Sequence, residues 1–176
     1  MKILLLGDSH VNQFAGRGKY FDLGGEVLTG QRLVDYYEPI AARLDSWLAV
    51  EGSGAYLLVS LNEVDIRGHY WRHIPRGADV VQYVEERVAA FHNRLEKMIQ
   101  EYGLARIVLW GAPPAGLNIT NNPHWPFVGP TATRNRIIDL FNRKFAERCR
   151  SKGSIVFATG FYQYIDPVSY EPLGHI

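Results

Sequence analysis

The sequence predicts one α/β domain, a three-layer α/β/α sandwich around a flavodoxin-like parallel sheet of about five strands, and three observations predict it. Short continuous apolar runs recur along the chain, as expected of strands buried on both faces. Longer segments with helical period separate them and can serve as right-handed crossovers. The chain has 176 residues, 47% of them hydrophobic, which suits a single compact core. No internal repeat, low-complexity tract or Pro/Gly/Ser-rich stretch divides it, so residues 1–176 are read as one domain.

Lys2 to Leu6 is an apolar run closed by Gly7, a strand feeding a turn. It is too short for a signal-peptide core or a membrane span. Residues 31–48 place Leu33, Tyr37, Ile40, Leu44 and Trp47 at steps of three and four, one face of a helix. Ala55 to Leu61 is a second clear strand, and a weaker one is expected near 25–28. Residues 79–102 carry Val81, Val84, Val88, Phe91, Leu95, Met98 and Tyr102 at helical steps, and Gly103 suits the helix C-terminus. Ala105 to Trp110 is a third strand. Residues 131–150 form a helix with Ile138, Phe141, Phe145 and Cys149 on one face, and Ser154 to Phe157 is a last short strand.

The formal net charge is +1 with 21% charged residues. That balance offers no footprint for nucleic acid or an anionic membrane. The one cysteine, Cys149, can form neither an internal disulfide nor a cysteine-based zinc site, and a chain without disulfides fits the cytoplasm.

Open parallel sheets bind ligands at the carboxyl ends of their strands, so the loops after 6, 61, 110 and 157 are the candidates. The first is Gly7-Asp8-Ser9-His10. Glycine lets the backbone turn sharply, and a serine there sits at the sheet edge, where N–H groups of a following helix can stabilise an oxyanion. A simple helix cap by Asp8 or Ser9 is the equal alternative. The second loop holds Asn62, Glu63, Asp65, Arg67 and His69 within eight residues. Asn can donate to an oxyanion and Arg can hold a carboxylate through paired hydrogen bonds; a solvated loop with internal ion pairs competes with that reading.

Residues 1–10 and 55–70 together resemble the SGNH, or GDSL-type, hydrolase superfamily. Ile3-Leu4-Leu5-Leu6-Gly7-Asp8-Ser9-His10 is similar to its first block, with His10 in place of Leu. Gly30 resembles the second-block glycine. Ser60-Leu61-Asn62-Glu63 resembles the third block, Gly-x-Asn-Asp, and Asn62-Glu63-Val64-Asp65-Ile66-Arg67-Gly68-His69 resembles a variant reading Gly-Glu-Val-Asp-Cys-Arg-x-His, in which Asn62 takes a glycine position. The resemblance implies serine acylation on an ester without a cofactor or metal. It implies Ser9 as nucleophile, and the Ser9 N–H, the Gly30 N–H and the Asn62 side chain as the oxyanion hole. Asp8, His10, Glu63, Asp65, Arg67 and His69 would frame the active-site loop.

The fifth block departs from the pattern. Asp166-Pro167-Val168-Ser169 has serine where the family's Asp-x-x-His has histidine. Three explanations stand: His175 is the base, with Glu171 or Asp166 as its partner; the chain continues past Ile176; or the base is His10 or His69. His69 and His73 also have one-face helical spacing, but Pro75 follows at once and no His-Glu-x-x-His pattern exists, so no metal is expected. The long connection 111–130 carries His124, Trp125 and Phe127, which can wall a substrate pocket or pack onto the core. Arg134 follows it and can meet an anionic group or pair with a helix-surface carboxylate. The expected function is hydrolysis of a small acyl ester, such as an O-acetylated carbohydrate, by a serine esterase with no nucleic-acid or membrane partner. The alternative is a non-catalytic binding protein of the same fold.

Overall fold

The computed structural model describes residues 2–7, 19–22, 38–60, 77, 79–115 and 130–174. Five parallel strands are described: β1 Ile3–Gly7, β2 Lys19–Asp22, β3 Tyr56–Ser60, β4 Arg106–Trp110 and β5 Ile155–Ala158. They lie in the order β2-β1-β3-β4-β5, the flavodoxin-like order with its switch point beside β1. Three helices cross between them: α1 Glu38–Glu51, α2 Val80–Tyr102 and α3 Thr131–Lys152.

The helix ends are written in the sequence. Asp79 caps α2 by accepting from the N–H groups of Val81 and Gln82, which otherwise lack partners. Gly103 and Gly153 close α2 and α3 in the left-handed conformation, each donating its N–H back to the preceding turn, the conformation in which glycine carries no Cβ penalty. Pro39 stands in the first turn of α1, where its missing N–H costs nothing.

The sheet has two unequal faces. Leu4, Leu6, Leu57, Val59, Ile107 and Leu109 are fully buried and share one core with all three helices. From α1 come Leu44 and Leu48, from α2 Val84, Val88, Phe91, Leu95 and Met98, and from α3 Ile138, Phe141 and Phe145. Phe145 is the hinge of this packing: Phe91 meets it edge-on at 5.7 Å and Phe157 of β5 stacks on it at 6.3 Å. On the other face Leu5 is buried, but Tyr56 and Val156 keep 38% and 39% of their surface exposed. The expectation of strands covered equally on both sides holds at β1 and relaxes toward β5.

One described strand was not expected from the sequence: β2, Lys19–Asp22, pairs with β1 and is a four-residue segment with charged ends that offers little pattern to read. The weaker strand expected near 25–28 lies outside the described residues. One expectation is corrected. In α2, Val81 is exposed and Val80 packs on the core instead, because 80, 84 and 88 continue one stripe at i+4 steps.

Outside the core, Tyr102 donates its hydroxyl to Asp45 of α1, and Arg94 pairs with Glu101 at 3.4 Å and reaches Asp45 at 3.7 Å. Lys144 of α3 pairs with Glu85 of α2 at 2.7 Å. The α2–α3 seam also buries Cys149, whose thiol burial pushes up to about 11, and His92, whose Nδ1 lies 3.5 Å from Glu96. Burial holds His92 below its ordinary value; Glu96 opposes that shift, while Arg148 and Lys152 of α3 add to it.

A histidine depressed in the folded state stabilises the fold fully above its unfolded pKa of about 6.5, and that stability is lost as pH falls below it. The melting temperature is therefore expected to fall between pH 7.5 and 5.5, and to fall less in His92→Gln. Parallel melting curves for the two proteins across this window would count against the assignment.

Candidate active site

All five strands end on one line. Gly7 pairs in register with Asp22 and with Ser60, Ser60 with Trp110, and Trp110 with Ala158. Ser9 follows Gly7 by two positions in sequence, and Asn62 follows Ser60 by two. Neighbouring strands lie about 4.8 Å apart, so Gly7 and Ser60, from which these two segments start, stand side by side at one level. Of the residues singled out from sequence, Asp8, Ser9, His10, Gly30, Asn62, Glu63, Asp65, Arg67, His69, His124, Trp125 and His175 lie outside the described residues.

Among the described residues beyond the ends of β4 and β5, side chains of α3 satisfy backbone groups at Ala112, Ala115 and Tyr170. Asn142 donates its amide to the Ala112 carbonyl and accepts from the Ala112 N–H, both at 3.1 Å. Asn135 accepts from the Ala115 N–H at 2.8 Å and donates to the Tyr170 carbonyl at 2.9 Å. Between them Asp139, 3% exposed, accepts from the hydroxyls of Tyr162 and Tyr170 at 2.8 and 3.0 Å and pairs with Arg143 Nε at 3.0 Å. With Asn142 level with Ala112, the residues from Thr131 onward carry α3 about 16 Å past the strand ends at 1.5 Å per residue. The helix forms a wall above the carboxyl edge.

This polar stripe was not foreseen from sequence, where only the apolar face of α3 was read. A signal was present. Asn135, Asp139 and Asn142 recur at i, i+4 and i+7, so they share a face, and all three are poor residues for a helix interior.

The segment after β5 is built on the same wall. A 3₁₀ turn, Phe161–Gln163, leads to a hairpin closed by the antiparallel bridge between Ile165 and Pro172 and by the Leu173 N–H to the Tyr164 carbonyl at 2.9 Å. Asp166 organises its tip. Its Oδ1 accepts from the N–H groups of Val168 and Ser169 and from the Ser169 hydroxyl, and the Ser169 bonds hold its carboxyl below the usual carboxylate range. Ser169, standing where the resemblance expects histidine, is consumed by this turn. Glu171, the other carboxylate considered for His175, is exposed. Tyr170 adopts the left-handed region at φ 63°, which costs a non-glycine residue about 1–2 kcal/mol. Its N–H donates to the Asp166 carbonyl, and Arg136 lies over its ring at 5.5 Å.

Arg134 is 2% exposed, with Nη2 donating to Thr131 Oγ1 at 3.0 Å. It is therefore a buried residue of the wall rather than part of the helix surface. The aromatic side chains described at this edge are Trp110 and Tyr164, both about 4 Å from the position a Gly160 Cβ would take. Among the described residues no three His, Cys, Asp or Glu side chains cluster as metal ligands, and no helix is long and apolar enough to cross a membrane.

No family model and no curated protein matches this chain. Among solved structures, a protein of Streptococcus pneumonia provisionally named a platelet activating factor superposes over 96% of this chain and 70% of its own, with a TM-score of 0.62 and 16% identity. The lipase Lip_vut3 from a goat rumen metagenome superposes over 98% and 90%, with a TM-score of 0.51 and 13% identity. At these identities the likeness is one of fold.

The stripe sets a tight fit at Gly111. A Cβ there would lie 2.6 Å from Asn142 Oδ1 and 2.7 Å from Phe157 Cζ. Gly111→Ala is expected to cost about 1–3 kcal/mol by overpacking. Asn142→Leu, which strands the Ala112 N–H and carbonyl, is expected to cost about 2–4 kcal/mol. Urea midpoints measure both; changes within about 0.5 kcal/mol would show that the edge does not depend on this contact.

Proposed function

We propose that this protein is a serine esterase that acts on small acyl esters through a covalent intermediate on Ser9. The observation that carries the reading is the register of β1 and β3: the segments bearing Ser9 and Asn62 start from paired positions, Gly7 and Ser60, at the carboxyl edge. The shared fold of a lipase supports it at the level of architecture only.

In this reading Ser9 Oγ attacks the ester carbonyl carbon while its proton passes to a histidine, with His175 the candidate. The negative charge on the carbonyl oxygen is held by the N–H groups of Ser9 and Gly30 and by the Asn62 amide. The carbon–oxygen bond to the alcohol breaks, and the histidine returns its proton to the departing oxygen. Water then repeats the sequence on the acyl-enzyme, releasing the acid and restoring Ser9. Asp8, His10, Glu63, Asp65, Arg67 and His69 frame the loops that hold these groups, His124 and Trp125 flank the substrate, and Arg134, buried in α3, supports the wall behind them. An acetyl group on a carbohydrate suits such a site, the aromatic residues offering faces for a sugar ring.

A second reading rests on the self-contained turn at Asp166 and Ser169: a protein of this fold that binds its ligand without turning it over. One assay separates the two. Wild type is expected to hydrolyse p-nitrophenyl acetate, with Ser9→Ala at background and Asn62→Ala slower by about 10²–10³-fold. Wild-type rates no higher than those of Ser9→Ala, with no labelling of Ser9 by a fluorophosphonate, would sink the esterase and favour the binder.

A further inference from the structure

We propose that Asp139 is a positioning residue for the esterase reaction, fixing the segment after β5 so that His175 is delivered to the carboxyl edge; this rests on the reading of Ser9 and His175 given above. Asp139 gathers both ends of the post-β5 segment onto one buried carboxylate, Tyr162 on Oδ1 and Tyr170 on Oδ2. Arg143 compensates the charge from the next turn of α3. Burial first, and then the bond to Asp139, raises the pKa of each tyrosine, which favours the protonated, donating form.

Tyr170 is the point where positioning and backbone meet. Its left-handed φ reverses the chain at the hairpin tip. An aromatic residue holds that conformation here because its hydroxyl, carbonyl and N–H are all engaged, by Asp139, Asn135 and Asp166 respectively. The returning strand is bridged at Pro172 and anchored by the Leu173 N–H on Tyr164. His175 follows Leu173 by two positions, and two residues span at most about 7 Å. The chain leading to His175 is thereby fixed by the hairpin as far as Leu173, and the hairpin by Asp139. A general base displaced by an ångström loses up to about 10²-fold in rate, so an anchor of this kind acts on kcat.

The test is a double-mutant cycle on p-nitrophenyl acetate hydrolysis by the full chain. Asp139→Asn and Tyr170→Phe are each expected to lower kcat about 10- to 100-fold with KM within about twofold. Asp139→Asn combined with His175→Ala is expected to be no slower than His175→Ala alone, because an anchor that acts through the histidine has nothing left to lose. If Asp139→Asn does not melt cooperatively, Tyr170→Phe takes its place in the cycle. Losses that multiply, a rise in KM with kcat unchanged, or a fully active His175→Ala would overturn the inference while leaving Ser9 as the nucleophile. A wild type no faster than Ser9→Ala would remove the esterase reading and this inference with it.

Discussion

A parallel sheet satisfies its own backbone only as far as its strands run, and here all of them stop together. The described segments after β4 and β5 need other donors and acceptors, and α3 supplies several of them. The amide of Asn142 meets both polar groups of Ala112, Asn135 joins the segment after β4 to the segment after β5, and Asp139 draws two tyrosines inward. Buried polar groups are tolerable only when satisfied, and this stripe is satisfied by the very loops it organises. Gly111 is part of the same solution, since its missing side chain leaves room for Asn142 and the Phe157 ring.

The helix performs two tasks on neighbouring faces. Its apolar residues, Ile138, Phe141 and Phe145, close the core against the sheet and α2. Its polar residues face the segments that carry the carboxyl edge. One face of α3 is held by hydrophobic burial and the neighbouring face by hydrogen bonds, so the two have separate physical origins within one element. The Lys144–Glu85 pair to α2 lies outside both; partly exposed pairs of this kind contribute little to stability.

The regular elements were legible because burial imposes periods. β1, β3, β4 and β5 read as apolar runs, and α2 and α3 read as stripes, with the end of α2 placed by Gly103. β2 was not legible, since four residues with Lys19 and Asp22 at their ends carry no period. The first loop and the Asn62 cluster were legible as candidates from residue type and position after a strand. The polar face of α3 was not, because Asn135, Asp139 and Asn142 reveal their role only when the segments after β4 and β5 are seen folded against them. Arg134 illustrates the same limit: as a charged residue near a helix start it reads as surface, and the fold buries it.

The place of β1 has a consequence for how the chain assembles. β1 precedes the other described strands in sequence, yet it is an interior strand, paired on one side with β2 and on the other with β3. β3, α2, β4, α3 and β5 succeed one another in sequence and in space, so that block can close through short-range steps. β1 cannot complete its pairing until Tyr56 and its neighbours have been made, and loop closure over such a separation is entropically costly and slow. The segment bearing the proposed nucleophile is thus attached to a strand whose docking links the two halves of the sheet. The paired ends of β1 and β3 come together only after that docking.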